Sequence, residues 1–316
     1  MAHLSEKLTR RRFVAAGGSL ALATIGADSF PFHLPAASLP ILDVAYAGSM
    51  GSMMEGPLKV AVRSGLQLDM RGRAQGSNAL ARLIVGGSIR PDVFIPVTPG
   101  PMMTVLRSDK AKSAEPIAHT EMVIAYSPKS RFAWRFEAAA RGRAEWWKVL
   151  EQPGLRFGRT DPVADPQGRN IIFTMMLAAK MYHQPDLVEK TLGPTINARQ
   201  IFSEPTVLAR LQSGELDASS AYKIQPGPFH LPYIPLPRQI NLSSERVRQD
   251  NPSLRLTTGG KTYYPEPLIY YAAALSDSLN PKGAAEFVKW LKGSEAQSIF
   301  RRYDYDSPDG ASTLRP

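Results

Sequence analysis

Two serines follow glycines where apolar runs end and new segments begin. Leu42-Asp43-Val44-Ala45-Tyr46-Ala47 stops in Gly48-Ser49, and Gly76-Ser77 stands before the apolar-periodic stretch Asn78 to Val85. Each pair lies at the mouth of a candidate helix. Such ends present unpaired backbone N–H groups and a positive partial charge, a combination that favours anions. Two acids share another setting: Asp165 and Glu204 each precede a proline and then a helical pattern. An acid followed by proline is ordinary helix punctuation, so alone neither marks a site. Tyr222 lies within a strand-like run, Ser219 to Lys223. The chemistry on offer is therefore capture of an anion, without an obvious catalyst. The five histidines show no ligand-pair spacing. There is neither a Gly-x-Ser-x-Gly elbow nor a phosphate loop. The absence of cysteine excludes disulfides, thiolate metal sites, a Cys nucleophile and lipid attachment through an N-terminal cysteine.

The elements that would position these residues read as an α/β protein. Ile41 to Ala47 is strand-like, Met50 to Gly65 helical, Gln67 to Arg73 a polar strand, and Ser77 opens a helix with Leu80, Leu83 and Ile84 on one face. Val93 to Val97 is a buried strand. This alternation argues for parallel strands with ligands at their carboxyl ends, where both Gly-Ser turns fall. Further strands are expected at Glu121–Tyr126, Ser219–Lys223 and Leu268–Leu275, and a short strand with a turn within Leu155–Pro162. Helices are expected at Trp146–Leu150, Ile171–Tyr182 (Ile172, Met175, Met176 and Ala179 inward), after Ser203 as far as Ser213-Gly214, and at Ala284–Leu291 and Glu295–Tyr303. Tyr233 to Leu242, rich in proline, reads as a connector. The pairs Tyr263-Tyr264 and Tyr270-Tyr271 read as strand packing.

The chain has 316 residues, 43% hydrophobic and 21% charged, enough for two ordinary domains. Its formal charge is +10, of which residues before Ser38 carry +2, leaving +8. A positive field concentrates anions, but the basic residues are scattered, which does not support a nucleic-acid module. Arg10-Arg11-Arg12-Phe13-Val14 precedes a short apolar run to Ile25. A charged start, a modest apolar stretch and small residues beyond read as an export signal of the twin-arginine kind, too short to anchor the mature chain across a bilayer.

Five motifs in order resemble the periplasmic molybdate/tungstate-binding proteins of ABC importers, and most of all their tungstate/molybdate branch. They are Ala47-Gly48-Ser49; Gly76-Ser77; Arg156-Phe157-Gly158-Arg159-Thr160-Asp161-Pro162 with Asp165-Pro166-Gln167-Gly168; Ser213-Gly214-Glu215-Leu216-Asp217 with Tyr222; and Leu236-Pro237 with Ile240-Asn241-Leu242. The resemblance implies that Ser49, Ser77 and Tyr222 hold an oxyanion, while Asp165 and Glu204 enter the inner sphere of its metal. Carboxylates repel an oxyanion's oxygens, but a high-valent metal accepts hard oxygen donors. The chain departs from the family's pattern at Ala218 after Asp217, at Lys223-Ile224-Gln225 after Tyr222, and at Arg169. The first two imply altered lobe packing. Arg169 either adds positive charge near the pocket or lies on the surface.

The expected fold is a two-lobe α/β periplasmic-binding-protein fold of type II, each lobe a mixed sheet flanked by helices and joined by crossover strands. Residues 1–37 form the export signal (Arg10, Arg11) and lead-in. Residues 38–120 plus 237–316 form the first lobe, and 121–236 the second. The expected function is that of an exported, soluble, monomeric receptor without lipid anchor or cofactor. It would capture molybdate or tungstate for a membrane permease. Alternatives are another oxyanion or small organic anion, such as sulfate or phosphonate, and an enzyme exported by the twin-arginine route.

Overall fold

The structure is a computed structural model that describes residues 38–316 except Asp309. The expected export signal, with Arg10 and Arg11, lies outside the described residues. Two mixed sheets organise the chain. The first contains β1 (Ile41–Ala47), β2 (Asp69–Gln75), β3 (Val93–Ile95), β4 (Glu115–His119) and the late strand β11 (Ile269–Ala274), in the order β2-β1-β3-β11-β4. The second contains β5 (Met122–Tyr126), β6 (Phe157–Gly158), β7 (Ala218–Tyr222) and β8 (Tyr233–Pro235), in the order β6-β7-β5-β8. A small hairpin, β9 (Leu256–Thr258) with β10 (Lys261–Tyr263), stands apart from both.

The period of two in β1 builds the first sheet's core. Leu42, Val44 and Tyr46 pack on one face with Val93 and Ile95, while Ala45 joins Phe94, Leu80, Ile84 and Met102 on the other. β1 runs parallel to both β2 and β3, so Ala47 lies beside Gln75 and Tyr46 beside Ile95. The turns after these strands therefore share one edge, as the alternating pattern predicts. β11 runs antiparallel to β3 and β4 and makes the sheet mixed. In the second sheet β6 and β7 are parallel, which brings the segments after Gly158 and after Tyr222 to a common edge.

The chain passes from the first sheet to the second at His119–Met122 and returns through the segment after β8. The two passages touch: Met122 N–H donates to Asn241 O over 2.8 Å, and Thr120 N–H to Leu268 O over 2.9 Å.

Two helices differ from their sequence reading. Met50–Gly65 is no single helix. A 3-10 turn (Gly48–Met50), a short α turn, a wide π turn (Met54–Leu58) and a final α segment (Lys59–Gly65) follow one another. The cause is Gly56-Pro57: Gly56 takes a non-helical conformation (φ −101°, ψ −114°), and Pro57 has no N–H to give the ladder. The Pro166–Met181 helix is buried on nearly every side from Pro166 to Met175, so it is a central element rather than a one-faced helix. Met176 and Ala179, expected inward, are only partly buried.

Candidate functional site

The parallel edge of the first sheet carries three turns into helices. After β1 comes Gly48-Ser49, after β2 Gly76-Ser77, and after β3 the Pro99–Leu106 helix. The third mouth is occupied by the protein itself: a methyl on Gly100 would meet Glu266 Oε1 at 2.4 Å. Neither serine acts as an N-cap. Ser77 is the first helical residue behind Gly76; it is buried, and its Oγ accepts from Val97 N–H at 3.3 Å. Ser49 sits inside the 3-10 turn, and its Oγ lies 3.0 Å from Tyr270 OH. Tyr270 is fully buried in β11. The pattern reading took it for packing alone. Its hydroxyl reaches the turn after β1 only because β11 enters the sheet from far along the chain.

The second sheet supplies the opposite side. Asp165 is the N-cap of the Pro166–Met181 helix, and its Oδ1 accepts from Gln167 N–H at 2.9 Å. Gly168 explains the close fit of that helix start: a Cβ there would lie 2.4 Å from Thr160 O and 2.7 Å from Pro162 N. Glu204 is the first residue of the Glu204–Ser213 helix rather than its cap, which is Ser203. Tyr222, buried at the end of β7, receives a hydrogen bond on its hydroxyl from Asn170 Nδ2 at 3.0 Å. Arg169 is not on the surface. It is 5% exposed, donates to Pro162 O at 2.8 Å, and holds its guanidinium 4.3 Å from the Tyr263 ring centroid.

The two sides meet. A methyl on Gly48 would lie 3.3 Å from Glu204 Oε2, and one on Gly76 would lie 3.9 Å from Ala164 O. Gly48, Ser49, Gly76, Glu204 and Gln225 line one cavity of about 390 Å³. Burial pushes the Glu204 carboxyl up to about 7, and the nearby charge of Asp165 adds to it. Burial also raises Asp165, against the pull of the Gln167 N–H and Arg169. Both residues are half-buried as wholes. Tyr222 is raised by burial, then by Asp165 and Tyr270. These interactions bring Ser49, Asp165, Glu204, Tyr222 and Tyr270 into one neighbourhood, with Ser77 in the adjacent turn. Of these, Ser49 and Glu204 face each other across the cavity, while Asp165, Ser77, Tyr222 and Tyr270 stand behind its lining; there is no nucleophile–base pair among them.

A larger cavity of about 770 Å³ lies beside the passages between the sheets, lined by His119, Glu121, Lys223 and Asp306 among others. Some of its polar groups are paired. Lys223 Nζ binds both Asp306 oxygens, at 2.9 and 2.7 Å, and Asn241 Nδ2 donates to Glu121 Oε2 at 2.7 Å.

The sequence profile of the bacterial extracellular solute-binding proteins matches residues 42–306. The chain belongs to this family. Within it, the molybdate/tungstate-binding protein WtpA of Pyrococcus abyssi is 30% identical over 210 residues. That alignment spans 60% of this chain and 60% of the archaeal protein. Among solved structures, the periplasmic molybdate-binding protein of Azotobacter vinelandii superposes with a TM-score of 0.58 at 16% identity, covering 85% of this chain and 100% of that one. The sulfate-binding protein SubI of Mycobacterium tuberculosis superposes with a TM-score of 0.55 at 9% identity, covering 86% and 88%. These likenesses establish the two-sheet, type II binding-protein fold. Among the described residues no helix is long and apolar enough to cross a membrane.

Two residues with a part in this site, Tyr270 and Gln225, escaped the sequence reading. Gln225 stands three residues after Tyr222, and its side chain donates to Glu204. No local pattern pointed to Tyr270.

Proposed function

We propose that this family member captures one molybdate or tungstate ion in the cleft between its two sheets and delivers it to the membrane permease of an ABC importer. The observation that carries the reading is the pairing of walls. Two Gly-Ser turns stand at the carboxyl ends of parallel strands, opposite two acids whose proton affinity burial raises, that of Glu204 further through Asp165. In their charged form, carboxylates facing a sulfate repel it. Facing molybdenum or tungsten, they complete the coordination of a metal that accepts oxygen donors. Ser49, Ser77 and Tyr222 hold the oxygens; Asp165 and Glu204 reach the metal. The archaeal relative's name supports the choice of ion, whereas the fold supports molybdate and sulfate alike.

In this reading residues 38–120 with 237–316 form one lobe and 121–236 the other, and the ligand closes them by touching both. The cycle is binding and release, with no bond chemistry and no resident cofactor. The monomeric receptor is released into the periplasm after twin-arginine export. The site assignment is tested by Asp165→Asn, which keeps the oxygen that accepts from Gln167 N–H and therefore the helix start. Molybdate and tungstate affinity should fall about tenfold or more, as expected when a metal site loses a partner. Unchanged affinity in the folded variant would sink the inner-sphere role.

A further inference from the structure

Two side-chain amides tie the acids of the cleft to each other. Gln167, whose backbone N–H caps Asp165 Oδ1, extends Nε2 to Gln225 Oε1 at 3.0 Å. Gln225 Nε2 donates in turn to Glu204 Oε1 at 2.5 Å. Neither amide can be turned around. Tyr222 N–H lies 2.6 Å from one end of Gln225; a backbone N–H only donates, so that end is the oxygen and the nitrogen faces Glu204. Gln167 Nε2 likewise faces the carbonyl oxygen of Ser220, at 3.1 Å. Both glutamines are buried, 4% and 5% exposed, so solvent does not compete for these bonds.

The consequence is directional. Gln225 engages Glu204 Oε1, and Oε2 turns toward the Gly48-Ser49 turn, 3.3 Å from where a methyl on Gly48 would lie. A carboxylate held in this way presents one oxygen to the cleft, not two. We infer that Gln225 is a positioning and specificity-determining residue that fixes Glu204 as a one-oxygen donor to the metal of a bound oxyanion, with Gln167 holding its amide in register. The inference rests on the function proposed above and adds to it the reason this chain carries Gln225 after Tyr222. An oriented carboxylate oxygen helps only a central atom able to take another ligand, so the amide pair selects metal oxyanions over sulfate.

The test uses the mature chain with Gln225→Met and, separately, Gln167→Met, each checked for wild-type circular dichroism. Affinities for molybdate, tungstate and sulfate are measured, and the molybdenum K-edge is recorded on molybdate-loaded protein. Gln225→Met should lose about 10- to 100-fold in molybdate and tungstate affinity and leave sulfate affinity within twofold. Its spectrum should move from a six-coordinate wild-type shape toward the strong pre-edge of tetrahedral molybdate. Gln167→Met should shift both readouts the same way by less, and it carries the test if Gln225→Met does not fold. A folded variant with molybdate affinity within twofold of wild type and an unchanged edge overturns the inference. Wild type binding molybdate as a four-coordinate ion also overturns it, together with the inner-sphere role of Asp165 and Glu204, while leaving capture and delivery of the ion standing. Wild type binding neither metal oxyanion overturns both.

Discussion

Replacing Glu204 by Gln should make the empty protein more stable and the loaded protein weaker. The Glu204 carboxyl stands at about 7 against an ordinary 4.5, first through burial and then through Asp165. The sign is opposite to that of a salt-bridged acid. Because the folded value lies above the unfolded one, the penalty is absent below about pH 4.5 and complete above about pH 7. At pH 8 the charged form costs about 3 kcal/mol. Glu204→Gln keeps an oxygen for Gln225 Nε2 and removes that cost. For a chain of this size, 1 kcal/mol corresponds to about 2 °C, so the variant should melt about 6 °C higher at pH 8 and within about 1 °C of wild type at pH 4.5. Asp165 is raised as well, so the transition belongs to the pair. The assay is differential scanning calorimetry of both ligand-free proteins from pH 4.5 to 8. A variant that melts at or below wild type at pH 8 would refute the account of a strained acid pair. Higher stability bought with lost binding is the pattern of a functional site.

Other substitutions probe the supports of the cleft. Gly168→Ala drives a methyl into the Thr160–Pro162 backbone; it should cost about 1–3 kcal/mol and weaken molybdate binding by displacing Asp165, both visible in a thermal melt with and without ligand. Tyr270→Phe removes the hydroxyl 3.0 Å from Ser49 Oγ, and chemical denaturation should show a loss of about 1 kcal/mol. Asp217 is buried and accepts from Arg156 N–H, Nε and Nη2 and from Ser130 Oγ. Burial would raise its carboxyl, but the Arg156 hydrogen bonds outweigh it and hold the group low. That stability is present above the ordinary carboxylate range and is lost as pH falls through the folded value. Asp217→Asn should therefore destabilise at pH 7, by about 2 kcal/mol given that Arg156 is half exposed, and the deficit should shrink in acid.

Where a single segment decides its own conformation, the sequence was readable. β1, the helix after Gly76-Ser77 and the αL glycine Gly214 that ends the Glu204–Ser213 helix lie where pattern and cap residues put them. The strand at Asp69–Gln75 sits two residues later than expected because Gln67 takes a positive φ of 54° and ends the preceding helix turn. The Glu115–His119 strand and the Ala133–Ala140 helix are not among the expected elements, although Gly142, with a φ of 70°, follows the helix. The Gly168 of Asp-Pro-x-Gly was noticed as part of a motif, but its reason, backbone within 2.4 Å, is tertiary. The same holds for Tyr270 and Gln225. Their roles depend on strands and turns brought together from distant parts of the chain, and no local periodicity encodes that.

The most direct test of the central claim is one calorimetric titration of the purified mature chain with molybdate, tungstate, sulfate and phosphate. The account predicts saturable one-site binding of molybdate or tungstate, with sulfate and phosphate far weaker or silent. No heat with either metal oxyanion, or sulfate bound more tightly than both, would contradict it.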